Sequence, residues 1–257
     1  MKIFLMLSSR IHCGIQKILS IFFPSHCISC EKIISKEALF CLDCWQKLQF
    51  ISEPKCQICS YPFEVEIKFL QPLCSRCLVK KPSFDSVITI FRYNEILRKA
   101  IGDLKYRDQT FLAKKFAGIL AKKIKSEIED CDILCVAPLH INRLRKRKFN
   151  QVAIIARLLC ANPLSLRCSA IEFIPDLLWR VVDTIPQVQL RKKQREKNLK
   201  KVFLVNKKYR ELVKGKKILL LDDVMTTGAT LENCAKVLKK CGAKKVIVAV
   251  IAKTIFS

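Results

Sequence analysis

Asp222 and Asp223 follow the apolar run Ile218–Leu221 and precede Thr226, Thr227, Gly228, Ala229 and Thr230. Adjacent carboxylates accept hydrogen bonds from a vicinal diol. Small hydroxyl residues around a glycine at a helix N-terminus offer backbone N–H groups to one phosphate. Read together, the two halves describe a site for a ribose 5-phosphate. Asp-Asp after a strand also fits a magnesium site or a phosphoacceptor, but neither explains the Thr-Thr-Gly-x-Thr that follows. The apolar run predicts a central parallel strand stopped by the two acids, which then open onto the carboxyl-end crevice of an α/β sheet. The next helix carries Leu231, Cys234, Leu238 and Cys241 and ends at Gly242.

A second apolar strand, Ile133–Val136, leads into Ala137, Pro138, Leu139 and His140, and then into Arg143, Arg145, Lys146, Arg147 and Lys148. A strand end followed by a cationic loop suits a pyrophosphate; a solvated charged loop is the plain alternative. Pro138, Leu139, Arg145 and Lys148 are therefore candidate ligand-binding residues. His140 is the candidate general base, or a group that binds phosphate or orients the loop. Asp183, Thr184, Gln187, Leu190, Arg195 and Asn198 mark a polar, basic segment that fits a flap over substrate or an exposed helix.

Eight cysteines form four Cys-x2-Cys pairs: Cys27 and Cys30, Cys41 and Cys44, Cys56 and Cys59, Cys74 and Cys77. Each pair on a tight turn aims two sulfurs at one metal, and two pairs complete the tetrahedron of a Zn2+ site. Consecutive pairing closes two short loops and cross-braced pairing joins alternate pairs; loop-closure entropy separates them only weakly, so both remain open. The expected role is structural, holding together a segment too small for its own core, with DNA, RNA or protein binding as the alternative. Cys13, Cys131, Cys135, Cys160, Cys168, Cys234 and Cys241 lie mostly on apolar faces and receive no chemistry.

The 257 residues are 51% hydrophobic, enough for a buried core and against general disorder. A formal charge of +26 favours phosphorylated small molecules, nucleic acid or an anionic membrane surface, although the lysines are scattered through every segment. The first 23 residues, interrupted by Lys2, Arg10 and Lys17, are too short and too broken to span a membrane. Ile11, Ile15, Ile18, Leu19 and Phe22 fall at helical spacing and predict a short amphipathic helix packed on the next module. With no convincing secretory signal, clustered cysteines fit a reducing cytoplasm.

The run 216–230 resembles the signature of type I phosphoribosyltransferases, which bind 5-phosphoribosyl-1-pyrophosphate (PRPP). The resemblance implies that Asp222 and Asp223 hold the ribose 2′ and 3′ hydroxyls, Thr226–Thr230 the 5′-phosphate, and Mg2+ the pyrophosphate and ribose oxygens. Nearly the whole chain resembles the ComF family, linked to DNA uptake in natural competence. The shared order runs from Phe-Phe-Pro before Cys27 through the four Cys pairs, Phe84-Asp85, Phe91-Arg92-Tyr93, Leu104-Lys105-Tyr106-Arg107, Pro138-Leu139-His140, Phe149-Asn150-Gln151, Thr184-x2-Gln187 and Arg195-x2-Asn198 to the PRPP loop. Lys148 stands where glycine is expected.

Two units are expected: a helix and double zinc-ribbon module over 1–80, and an α/β domain over 81–257. The latter has a mainly parallel sheet of about five strands flanked by helices, of the type I phosphoribosyltransferase kind. Segment 84–93 supplies a linking strand and 95–126 two amphipathic helices. The protein is either a phosphoribosyltransferase acting on an unnamed acceptor, or a non-catalytic binder of single-stranded DNA or competence-machinery proteins with PRPP as regulatory ligand. Tyr93, Tyr106 and Phe149, beside Arg92, Arg107 and Arg147, are the aromatics available for base stacking.

Overall fold

A computed structural model describes residues 25–35, 38–64, 72–106, 111–161, 171–181 and 202–255. The helix expected over 11–22 and the segment from Asp183 to Asn198 lie outside them. In chain order the elements begin with β1 (Ser25–His26), β2 (Ile33–Ile34), α1 (Leu42–Gln46) and α2 (Ser75–Val79), which belong to the cysteine module. Then come β3 (Ser86–Arg92), α3 (Glu95–Tyr106), α4 (Phe111–Lys123), α5 (Lys125–Glu129), β4 (Ile133–Val136), α6 (Ile141–Arg147) and α7 (Gln151–Cys160). The chain continues with β5 (Glu172–Phe173), β6 (Leu178–Arg180), β7 (Phe203–Val205), α8 (Arg210–Val213), β8 (Lys217–Met225), α9 (Ala229–Lys240) and β9 (Lys245–Lys253).

Five strands form one sheet in the order β3-β9-β8-β4-β5, and every pairing is parallel. Strands covered on both faces read as continuous apolar runs, and the alternation of side chains decides which layer each residue joins. Leu219, Leu221, Ile247 and Ala249 face a core built with Leu97, Ile101, Leu104, Phe116, Leu120 and Ile155 of α3, α4 and α7. Ile218, Leu220, Val246 and Val248 face the other core, with Leu231, Cys234 and Leu238 of α9 and Phe203 and Val205 of β7.

The two halves of the cysteine module divide between these layers. Cys27, Phe40, Cys44 and Leu48 join the first core, whereas Cys56, Ile58, Cys59, Cys74 and Cys77 join the second. The chain between them runs along β3, the strand that would otherwise be an open edge. Ile51 N–H donates to the Ile90 carbonyl (2.8 Å), Arg92 N–H to that of Gln49 (2.7 Å), and Val87 N–H to that of Ile58 (2.7 Å). Phe50 and Phe91 form an antiparallel bridge with ring centroids 4.8 Å apart. Backbone groups that could template aggregation are thus covered.

Two expectations are corrected. The strand does not end before the acids: β8 continues through Asp222 and Asp223 to Met225, because β9 is long enough to pair with it as far as Lys253. The cations after His140 do not form an open loop. Arg143, Arg145, Lys146 and Arg147 lie on the helix α6, with Arg145 exposed on it and Lys148 just after it, and His140 caps its start by accepting from Asn142 N–H (3.3 Å).

Candidate ligand site and metal centres

The carboxyl ends of β4 and β8 meet where Ala137 N–H donates to the Leu221 carbonyl (2.9 Å), which sets Pro138 and Leu139 beside the acid pair. Asn150 fixes the far end of this loop. Its side chain caps α7 through Val152 N–H (3.0 Å) and donates to the Ala137 carbonyl (3.3 Å). That cap delivers Gln151, the first residue of α7, into the interior, where its Nε2 donates to Asp223 Oδ2 (2.6 Å). Lys105, in the last turn of α3, places its Nζ 2.8 Å from the same oxygen. Asp223 is buried, and a buried carboxylate requires such partners. Asp222 Oδ1 accepts from Asp223 N–H (2.9 Å).

Burial, then the adjacent Asp223 charge, raises Asp222 from 3.8 to about 7, opposed by Asp223 N–H and Lys105. These bonds use Asp222 Oδ1 and Asp223 Oδ2, and the second oxygen of a carboxylate can accept from a ligand. The next turn, Thr226–Gly228, is exposed or half-exposed; Gly228, at φ 80°, starts α9. A Cβ on Gly228 would lie 2.6 Å from Met225 Cε in a backbone region L residues rarely adopt. Ala229 N–H points back to Thr227 Oγ1 (3.4 Å). The turn stands at the N-terminus of a twelve-residue helix, the positive end of its dipole.

The sequence-derived site residues are brought together in part. Asp222, Asp223, the 226–230 turn, Pro138 and Leu139 share the carboxyl edge of the sheet. Arg145 and Lys148 lie at the surface beyond His140, on and just after α6. Lys148 adopts φ 63°, the left-handed conformation in which glycine is at ease. Sequence reasoning missed Lys105 and Gln151 as supports of Asp223. Both stand in segments that the family resemblance had already singled out, but no local spacing connects them to an acid more than 70 residues away.

The eight cysteines form two sets: Cys27, Cys30, Cys41 and Cys44, and Cys56, Cys59, Cys74 and Cys77, each with all four sulfurs within 4.8 Å of one another. This resolves the pairing as consecutive. The two sets are built alike. In each, the first pair lies on a turn closed by a residue with positive φ, Glu31 (64°) and Ser60 (55°). In each, the second pair starts a short helix, with Cys41 capping α1 and Cys74 capping α2. Cys30 and Cys41 sulfurs are 3.4 Å apart and Cys59 and Cys74 3.6 Å, too long for a bond. Four thiolates about 2.3 Å from one Zn2+ stand about 3.8 Å from each other, so the sets fit the ion.

Within each set the thiols compete for protons: one is drawn down, while burial above all holds Cys44 and Cys77 up at about 12. Burial opposes ionisation of Cys27, but backbone hydrogen bonds at Cys30, Cys41 and Ser29 draw it down to about 6. A hydrogen bond from Cys59 draws Cys56 down to about 4, and that same bond pushes Cys59 up.

A parallel five-stranded sheet between helical layers, bearing an acid pair and a Thr/Gly turn at its carboxyl edge, makes this a phosphoribosyltransferase-fold protein with a double zinc ribbon. Residues 18–78 match the double zinc ribbon domain family and residues 167–255 the phosphoribosyl transferase domain family. The chain is 28% identical over 232 residues to Competence protein F of Haemophilus influenzae, covering 88% of this chain and 95% of that protein. It is 30% identical over 190 residues to DNA utilization protein YhgH of Escherichia coli, covering 71% and 78%. Competence protein ComFC of Streptococcus pneumoniae is 28% identical over 212 residues, covering 82% and 86%. The chain belongs to the family of these proteins, the ComF family. No described helix is long and apolar enough to cross a membrane.

Proposed function

We propose that this protein binds PRPP at the carboxyl edge of its sheet and acts in the cytoplasm in the use of imported DNA; competence and DNA utilization are the words in the names of its relatives. The observation that carries the reading is the acid pair at the end of β8, with Asp223 anchored by Lys105 and Gln151, one turn ahead of the N-terminus of α9. Asp222 and Asp223 would accept the ribose 2′ and 3′ hydroxyls, and Thr226, Thr227, Gly228, Ala229 and Thr230 would hold the 5′-phosphate. Pro138 and Leu139 would border the pyrophosphate, with Arg145 and Lys148 supplying positive charge from the surface.

Mg2+ fits this donor set only in part. Asp223 already carries a lysine and an amide, so the ion would ride on ligand oxygens and water, with Asp222 as its nearest carboxylate. Bound there, it would neutralise the pyrophosphate. In a transfer, an acceptor's nucleophile forms a bond to C1 of the ribose while the C1–O bond breaks and its electron pair leaves with pyrophosphate. His140 is poorly disposed as the base, since its Nδ1 already serves as a helix cap.

Hydrogen exchange tests the reading. PRPP with Mg2+ should slow exchange at the amides of 226–230 in the native chain and leave the Asp222→Asn, Asp223→Asn variant unchanged; equal protection in both would contradict it. The non-catalytic alternative, single-stranded DNA or a machinery protein bound with PRPP as effector, rests on the +26 charge. It predicts binding that weakens steeply with salt and releases no pyrophosphate.

A further inference from the structure

The two cysteine sets are built alike but differ in their access to solvent. In the first, Cys27 and Cys44 are buried, whereas Cys30 is exposed and Cys41 half-buried. In the second, Cys59, Cys74 and Cys77 border a cleft beside Met225 and Thr226, yet none of its four cysteines is more than 8% exposed. Distance does not separate the sets: the sulfurs of Cys30 and Cys41 stand 3.4 Å apart and those of Cys59 and Cys74 3.6 Å. A small movement of two side chains would join either pair.

Local charge does not separate them in the same direction. Lys32, within electrostatic reach of Cys41 and Cys30, is paired with Asp43 (2.6 Å), and Glu31 with Lys99 (3.2 Å). In the second set Lys253 is buried beside Cys59, donates to its carbonyl, and carries a charge that favours a thiolate there. Attack of a thiolate on an oxidant depends on its negative charge and on access. Charge would favour the second set, so access is what makes the first the vulnerable one.

We propose that the first zinc ribbon is a modification site for peroxides: Cys30 and Cys41 are oxidised to a disulfide, its zinc is lost, and the part of the β3 edge it covers opens, while the second ribbon keeps its zinc. The Cys30 thiolate attacks one oxygen of hydrogen peroxide, the O–O bond breaks, and a sulfenic acid forms as hydroxide leaves. The Cys41 thiolate then attacks the Cys30 sulfur; the S–S bond forms and the S–O bond breaks with loss of a second hydroxide. The two sulfurs give up one electron each, the peroxide is reduced, and both hydroxides take protons from solvent to become water. Cys27 and Cys44 alone hold the ion far more weakly than four thiolates. Beyond Cys44 and α1, residues 49–51 are bonded to the end of β3, Ile51 N–H to the Ile90 carbonyl and Arg92 N–H to that of Gln49. Val87 N–H, near the start of the same strand, is bonded instead to Ile58 of the second ribbon. Loss of the first zinc therefore loosens the cover at one end of β3 and leaves the other closed.

The test treats the full chain, loaded with zinc in both ribbons, with a small excess of hydrogen peroxide, and follows a zinc-responsive dye and the mass spectra of tryptic peptides; no readout involves PRPP. One zinc equivalent should leave about tenfold faster than the other, with Cys30 linked to Cys41, and should rebind after reduction with dithiothreitol. In the oxidised chain, hydrogen exchange should rise at the Ile51 and Arg92 amides and stay unchanged at Val87. Cys30→Ser, Cys41→Ser should lack the fast release and lose its remaining zinc at the slow native rate. Release of both zincs together, a fast phase that carries a Cys59 to Cys74 linkage, or a fast phase that persists in the double variant would overturn the proposal. Exchange that stays unchanged at Ile51 and Arg92, or rises as much at Val87, would overturn it as well.

Discussion

Asp222 and Asp223 are neighbours in sequence with different surroundings. Lys105 and Gln151 meet Asp223, while burial and the Asp223 charge raise Asp222 to about 7. A diol donates best to an ionised carboxylate, so PRPP affinity should fall by about tenfold for each pH unit below 7 and level off above it. Asp222→Asn should flatten that profile to the titration of the ligand's own phosphates; calorimetric titrations across neutral pH check this, and a native profile no steeper than the variant's would count against the diol role. Stability runs in the opposite direction. The folded value lies above the unfolded 3.8, so the contribution of Asp222 is complete below that pH and is lost as pH rises through about 7. Asp222→Asn should therefore raise Tm more at pH 8 than at pH 5, by about 2–4 °C. Removing the partner of the largely buried Asp223 with Lys105→Met should cost about 3 kcal/mol in urea unfolding, most of it recovered in Lys105→Met, Asp223→Asn. Lys148→Gly should stabilise by about 1 kcal/mol, since it relieves a left-handed lysine. The acids, the Thr/Gly turn and the cysteines were legible because their chemistry depends on spacing within a few residues. Lys105 and Gln151 were not, because only the fold brings α3 and α7 to the end of β8.

At the scale of elements, the strand Ile133–Val136 and the helices after residue 95 followed from apolar runs and helical spacing. The length of β8 did not, because polar Asp222 and Asp223 read as a strand end, whereas the ladder to β9 carries the strand past them. The helix α6 was hidden by its cations, which look like a solvated loop until His140 supplies the cap. The two ribbons have different neighbours, and this separates their roles. Ser60 Oγ donates to the Val87 carbonyl and Lys253 Nζ to that of Cys59, so the second ribbon is bonded to the sheet next to the 226–230 turn. Lys99 and Lys115 donate to the carbonyls of Ser29 and Ala38, which ties the first ribbon to α3 and α4 instead. Cys59→Ser, Cys74→Ser should therefore lose one zinc and weaken PRPP binding by about tenfold, whereas Cys30→Ser, Cys41→Ser should lose one zinc and leave that affinity within about threefold. Metal analysis with calorimetry distinguishes them, and equal effects would contradict the assignment.

Over the whole molecule, the cysteine module and the α/β domain share both hydrophobic cores, and residues 49–51 close the β3 edge. The boundary at residue 80 is thus a change of chain composition and, we propose, not a place where folding can be divided: a chain of residues 81–257 alone should aggregate through its uncovered edge and faces. The +26 charge acts at this scale too, drawing anions of every size toward the protein without selecting among them. On the proposed PRPP reading, selection falls to the acid pair, whose carboxylates repel simple phosphates and accept from a ribose diol. The most direct measurement is a calorimetric titration of the zinc-loaded chain with PRPP and Mg2+, beside Asp222→Ala, Asp223→Ala. The account predicts saturable one-to-one binding by the native chain and its loss in a variant that keeps its zinc and its fold. No binding by the native chain, or undiminished binding by the variant, would contradict it.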